Sequence, residues 1–229
     1  MILLGKQLKI VLVGDARVGK SSWLSQQLEG FYEPEYTPTN GYNSERLDCQ
    51  TNIGLAQTMI WDISGSNSTA QDRAKWMEDC DAAIIMVDLA DRASIENTVS
   101  WYKEIISSQK QTLLPVVICS YKAYEKSDKR AIDPAEISWS DELGNTPFFY
   151  NISRDINVKP NRMLSNKDMM KPIGWILEQL TGETDVDANF GYVPSRDASP
   201  SRPVWPDGFS HELVEAASRT LEDDDEENL

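Results

Sequence analysis

The residues Gly14-Asp15-Ala16-Arg17-Val18-Gly19-Lys20-Ser21 constrain this chain more than any other stretch. They fit the pattern Gly-x4-Gly-Lys-Ser/Thr, preceded by the apolar run Leu8–Val13 and followed by a helical pattern over Ser22–Glu29. A buried strand, a glycine-bearing turn and a helix in that order let successive backbone N–H groups converge on phosphate oxygens. The helix adds its positive N-terminal end. The candidate phosphate cradle is therefore Gly14, Asp15, Ala16, Arg17, Val18, Gly19, Lys20, Ser21 and Ser22. Lys20 is placed to reach the β and γ phosphates, and the Ser21 hydroxyl to ligate Mg²⁺.

The remaining pattern is an alternation of strands and helices. Leu55–Ile63 reads as a strand, Ala82–Asp88 and Pro115–Ser120 as strands buried on both faces, and Phe148–Asn151 as a short one. Ala93–Gln109 reads as one long amphipathic helix, and Asp168–Leu180 as a helix ended by Gly182. Strands separated by helices predict βαβ units and a mostly parallel sheet, hence an α/β class. After Gly182 the pattern changes. Pro194, Pro200, Pro203 and Pro206 punctuate a strap that keeps Phe190, Tyr192, Val193, Val204 and Trp205, and His211–Leu221 reads as a short helix. The expected organisation is a domain over residues 1–182 and an appendage over 183–229.

Charge follows the same division. Of 37 Asp and Glu and 22 Lys and Arg, residues 183–229 hold 13 and 3, so this segment carries most of the net −15. Glu222 to Glu227 are consecutive acids, a solvated run. A net acidic surface argues against non-specific nucleic-acid binding and against a polybasic grip on lipid. No apolar run approaches the ~18–20 residues that cross a bilayer. Met1–Lys6 lead into a strand pattern without a signal-peptide core, so a soluble intracellular protein is expected. Cys49, Cys80 and Cys119 fit neither a disulfide framework nor a zinc site, and read as buried thiols. His211, the lone histidine, lies in the tail, and Asp141-Glu142 reads as a solvated turn. Trp23, Trp76, Trp101 and Trp175 fall at helix positions and read as packing residues.

Further elements follow the phosphate loop in series. Trp61-Asp62-Ile63-Ser64-Gly65 closes the second strand, so that Asp62 can hold Mg²⁺ through water and the Gly65 N–H can contact a γ-phosphate. Tyr36-Thr37-Pro38-Thr39-Asn40-Gly41 lies between, with Thr39 placed to close on the metal. At these spacings the chain resembles a Ras-superfamily G domain, which implies a mostly parallel six-stranded sheet flanked by helices.

Within that superfamily it is similar to the Ran family. Gly30-Phe31-Tyr32-Glu33-Pro34-Glu35-Tyr36 leading to Thr39 carries this resemblance. So do Thr51-Asn52-Ile53-Gly54, the stretch Trp61 to Asp88, and Trp101 in the following helix. The strap Asn189–Pro206, the helix His211–Leu221 and the acidic end Glu222–Leu229 complete it. Rab, Ras and Rho relatives end instead in a prenylated cysteine, and no cysteine follows Cys119 here.

The departures fall on catalysis and base recognition. The resemblance implies a glutamine directly after Gly65 to orient the attacking water, and Ser66 stands there. Ala16 and Arg17 replace two family glycines. The guanine-reading Asn-Lys-x-Asp aligns with Tyr121-Lys122-Ala123-Tyr124, where only Lys122 is kept to lie over the base. Glu125-Lys126-Ser127-Asp128 offers a Lys-x-Asp four residues later, out of strand register. Ile152-Ser153-Arg154 stands where the family has Ser-Ala-Lys. The family's switch phenylalanine aligns with Thr69, Arg73 matches a family arginine, and its basic patch becomes Trp139-Ser140-Asp141-Glu142.

The resemblance thus implies a divergent switch that binds GTP or GDP with Mg²⁺, is at most a slow GTPase, and serves nucleocytoplasmic transport. Its expected setting is nucleus and cytoplasm, as a monomer, with importin-β-type transport receptors or Ran regulators as partners, and without nucleic acid or a membrane anchor. Metal ligation is expected from Ser21, Thr39 and Asp62. A non-catalytic interaction protein of G-domain shape, with weak or unselective nucleotide binding, is the alternative; a phosphate-loop kinase or ATPase is a third.

Overall fold

The computed structural model describes residues 6–29, 36–66, 68–110, 113–121, 132–149, 167–186 and 188–189. The elements in chain order are β1 (Gln7–Val13), α1 (Lys20–Glu29), β2 (Tyr42–Arg46), β3 (Cys49–Thr51) and β4 (Gly54–Ile63). They continue with α2 (Ala70–Met77), β5 (Ala82–Val87), α3 (Arg92–Glu96), α4 (Thr98–Ser107) and β6 (Val116–Ser120). β7 (Phe148–Phe149), α5 (Lys167–Thr181) and β8 (Ala188–Asn189) complete the set. The strands form one sheet in the order β7-β6-β5-β1-β4-β3-β8, with β2 also paired to β4. β1 runs parallel to β4 and β5, and β6 parallel to β5 and β7. The pairs β2–β4, β3–β4 and β3–β8 are antiparallel.

Alternation along β1 explains why helices cover both faces. Leu8, Ile10 and Leu12 point to one side, where Trp23 and Leu24 of α1 and Met169, Ile173, Ile176 and Leu177 of α5 meet them. Val11 and Val13 point to the other, against Met77 of α2, Ile95 of α3 and Trp101 and Ile105 of α4. The central strands carry apolar residues on both faces because neither face reaches water: all six residues of β5 and all five of β6 are buried. Each fully buried Ile, Leu or Val contributes about 1.5–3 kcal/mol, and this double layer fixes the ends of β1 and β4 from which the site is built.

Three expectations need correction. The sheet has eight strands among the described residues, where six were expected. β2 (Tyr42-Asn43-Ser44-Glu45-Arg46) is exposed at every position, so it carries no apolar alternation to read. β3 and β8 are three and two residues long, too short for any periodicity. The helix expected over Ala93–Gln109 is two, α3 and α4, divided at Asn97. There Asn97 caps one helix and starts the next at the edge of the helical region (φ −73°, ψ −7°), its N–H bonds to the carbonyls of Ala93 and Ile95, and Thr98 Oγ1 donates to Ile95 O at 2.7 Å. Apolar spacing continues across the break because both pieces cover the same sheet face. An eight-residue helix, α2, also forms over a stretch not read as one, started by Thr69, whose hydroxyl accepts from the Asp72 N–H.

The chain after α5 returns to the sheet. Gly182, in the left-handed region (φ +74°), donates its N–H to Glu178 O at 2.9 Å and ends the helix as expected. Val186 and Ala188 then join the core, and β8 pairs with β3. The described residues after the helix thus pack on the sheet. The rest of the expected strap, the helix His211–Leu221 and the acidic end lie outside the described residues. Cys49, Cys80 and Cys119 are free and buried, as expected. Burial pushes the Cys49 and Cys80 thiols up to about 12, and that of Cys119 well above its usual value. Trp23 and Trp101 are buried, and Trp76 and Trp175 are partly buried against the core, in keeping with packing roles.

Candidate phosphate-binding site

The C-terminal end of β1 opens into the loop that the sequence singled out. Gly14 has φ +134°, and a Cβ there would lie 2.3 Å from the Met86 carbonyl oxygen of β5, so only glycine fits. Gly19 has φ +102°, and its carbonyl accepts the first helical bond, from the Trp23 N–H at 2.9 Å. Helix α1 therefore begins at Lys20, two residues before the expected start, and aims its N-terminus into the loop. Val18 is buried in the core and anchors the turn. Lys20 is 5 % exposed, and its Nζ donates to the carbonyls of Gly14 and Asp15, both at 2.8 Å. Burial lowers its pKa to about 8, against the opposing pull of Asp62 and Asp15. A buried cation held, among the described residues, by carbonyl partners gains strongly from an incoming phosphate.

Three segments meet next to it. Ser21 Oγ donates to Asp62 Oδ2 at 2.5 Å and lies 3.1 Å from Thr39 Oγ1, which donates to the same carboxylate oxygen at 3.4 Å. The set expected to hold Mg²⁺, one residue from each of α1, the segment before β2, and β4, is thus brought together. Asp62 is 1 % exposed, and its Oδ1 has no hydrogen-bond partner among the described residues. Burial pushes its carboxyl up, while the Ser21 hydroxyl, Lys20 and Thr39 pull it down. Among the described residues no cluster of three His, Cys, Asp or Glu side chains could hold a metal alone. One buried carboxylate with a free oxygen beside two hydroxyls is instead the donor set of a hard cation completed by water and phosphate oxygens. The residues present fit Mg²⁺ in that form.

A cavity of about 520 Å³ lies over this point. Of the expected cradle residues, Ala16, Arg17, Gly19, Lys20, Ser21 and Ser22 line it, together with Thr39 and Gly65. Gly65 packs so tightly on the loop that a Cβ would lie 2.5 Å from the Ala16 nitrogen. Gly14, Asp15 and Val18 do not line it. Asp15 turns away, its carboxylate accepting from Trp101 Nε1 and Asn97 Nδ2 of the α3–α4 junction, each at 2.8 Å. Tyr36, Pro38, Asn40, Asn43, Ser25 and Ser64 also line the cavity and were not singled out as site residues. Their signal was position alone, since they flank residues that were.

Ser66 lines the cavity and is exposed. On the base side, Tyr121 is 5 % exposed and its hydroxyl donates to Gln26 Oε1 of α1. It is a core residue and does not line the cavity. Lys122, Tyr124, the segment Glu125–Asp128 and Ile152-Ser153-Arg154 lie outside the described residues. Arg73 is spent inside the fold: its guanidinium makes two bonds to Glu104, at 2.7 and 3.1 Å, and one to the Ser68 carbonyl at 2.9 Å. Asp141 and Glu142 sit in a 3-10 turn capped by Ser140, with Glu142 paired to Lys103, as befits a solvated surface.

A phosphate loop at the end of a parallel strand, with converging Thr39 and Asp62, defines a nucleotide-binding G domain by geometry. The family model of the Ras family matches residues 9–162. The chain belongs to the Ras family. This Ras-family fold spans β1 to β7 of the structure, including Ser21, Thr39 and Asp62. Ras-family GTPases act as GTP-binding switches and bind GTP or GDP with Mg²⁺.

Proposed function

We propose that this protein is a divergent Ran-like GTP-binding switch in nucleocytoplasmic transport that hydrolyses GTP slowly or not at all. The observation that carries the nucleotide reading is the convergence of Ser21, Thr39 and Asp62 beside a buried Lys20. The backbone of the loop and Lys20 bind the polyphosphate; Ser21, Thr39 and Asp62 hold Mg²⁺, which when bound neutralises phosphate charge. Thr39 comes from a segment outside the loop, so its engagement depends on what fills the cavity. Gly65, packed on the loop, is placed to register the terminal phosphate.

Slow hydrolysis rests on Ser66, whose short hydroxyl replaces the amide that would align an attacking water. The Ran-type assignment rests on the sequence resemblance from Gly30 to Thr39, at Thr51–Gly54 and after Gly182. Transport receptors of the importin-β type, or Ran regulators, are the partners it implies, with residence in nucleus and cytoplasm as a monomer. Asp141 and Glu142, where the resemblance has a basic patch, should weaken binding to acidic receptor loops.

Purified protein should release stoichiometric GTP or GDP on denaturation, and bind both more tightly than ATP in direct titration. A pull-down with importin-β-type receptors should be nucleotide-dependent. An empty cavity would favour the second reading, a non-catalytic G-domain-shaped interaction protein. The buried Tyr121 is what speaks for that reading, because it removes an anchor of guanine recognition.

A further inference from the structure

Two charged side chains line the cavity, Lys20 and Arg17, and no described lining residue is acidic. Lys20 belongs to the loop pattern; Arg17 does not, and stands where the resemblance has glycine. Its backbone keeps the left-handed conformation (φ +67°) that L side chains rarely adopt. The strain is accepted at a position whose side chain reaches the cavity, the kind of outlier that points to a use. The guanidinium carbon lies 5.0 Å from the ring centroid of Tyr36, within cation–π range. Tyr36 lines the same cavity and lies in the segment that delivers Thr39. The neighbouring carboxylate of Asp15, which would compete for the arginine, is drawn off by Trp101 and Asn97.

We propose that Arg17, steadied by the Tyr36 ring, is a second phosphate-binding cation that makes the site favour nucleoside triphosphates over diphosphates. The inference rests on the nucleotide-binding reading above. Lys20 is tied to the loop carbonyls of Gly14 and Asp15. Arg17 instead stands against Tyr36, in the segment that delivers Thr39, and shares the cavity with Gly65, the residue read above as registering the terminal phosphate. A planar guanidinium binds phosphate oxygens through paired N–H groups and keeps its charge at all physiological pH values.

The test compares Kd values for GDP and for the β,γ-imido analogue of GTP, with Mg²⁺, in Arg17→Gly, Arg17→Lys, Tyr36→Leu and the Arg17→Gly/Tyr36→Leu pair. Loss of the guanidinium should weaken the triphosphate analogue about tenfold and GDP less than about threefold. Arg17→Lys should recover part of the preference. Tyr36→Leu should cost the triphosphate about threefold in the parent and nothing further once Arg17 is glycine. Gly at this position relieves the strained backbone, so Arg17→Gly should melt no lower than the parent. Equal losses for the two nucleotides, a gain in triphosphate affinity, or additive Arg17 and Tyr36 effects would each overturn the proposal while leaving nucleotide binding intact. A parent protein that binds neither nucleotide overturns both readings.

Discussion

The phosphate-loop end of this domain and the end of β6, where the resemblance places base recognition, are built from the same sheet, yet their side chains turn different ways. On the phosphate side, Ser21, Thr39 and Asp62 come from three separate segments and still meet within hydrogen-bond distance, while Lys20 is held by the loop carbonyls of Gly14 and Asp15. On the base side, the residue after β6 is a tyrosine that folds into the core and bonds to α1. The difference teaches that the loop geometry serves the fold as well as the ligand. Gly14 lies against the Met86 carbonyl, Val18 sits in the core, and Gly65 packs on the loop, so this half is difficult to lose without losing packing. Tyr121, aligned with the first residue of the base-reading motif that the resemblance implies, is likewise committed to the core.

Lys20→Ala gives the largest expected effect and strikes only the phosphate half. Affinity for GTP, GDP and ATP should fall together by on the order of a hundredfold or more, since a buried charge-assisted contact is lost. A loss confined to guanine nucleotides in fluorescence titration would show that the base side still carries binding, and the contrast would collapse. Gly14→Ala tests whether the loop is load shared with the core. Its positive φ and the clash with Met86 should cost roughly 3 kcal/mol in urea unfolding; an unchanged midpoint would separate loop from core.

Tyr121→Phe probes the other side with a smaller effect. Removing the hydroxyl leaves Gln26 without that donor and should destabilise by about 1 kcal/mol, with no change in GTP-to-ATP preference. A shift in that preference in competition binding would mean that Tyr121 takes part in base recognition after all. The thiols give the finest reading. Cys119 lies in β6, beside the base side, while Cys49 and Cys80 lie elsewhere, and all three are buried. None should react with iodoacetamide at pH 8, and selective labelling of Cys119 would reveal that the base side opens. Because burial holds these thiols protonated while an unfolded chain ionises above about pH 9, the unfolded state binds fewer protons there. Their contribution to stability is full below pH 9 and declines above it, by up to about 1.4 kcal/mol per thiol per pH unit. Substituting Cys49 and Cys80 by Ala should flatten that decline in pH-dependent unfolding.

Much of this domain was legible in one dimension because its signals are local. The run Leu8–Val13, the glycines of the loop and the helix after it follow one another, so the cradle and its chemistry could be read directly. β5 and β6 were legible because burial on both faces leaves an uninterrupted apolar run. β2 was not, because an all-exposed strand is held by its hydrogen bonds to β4 and has no pattern of its own. The break at Asn97 was hidden because both helices cover one face. Thr69 stands where the resemblance has a phenylalanine and Arg73 where it has an arginine, and the structure gives both internal work, capping α2 and bridging to Glu104.

The sequence by itself determined the class of fold and the phosphate-loop pattern, and it singled out Ser21, Thr39 and Asp62 as a set, since each lies in a short motif with a fixed relation to its strand. Tertiary structure decided what depends on direction rather than order. It turned Asp15 out toward Trp101 and Tyr121 into the core, and it set Arg17 against Tyr36 across a gap of sequence that no motif spans. The physical reason is that side-chain direction follows from which face of an element reaches the core, and that is fixed only when the layers pack.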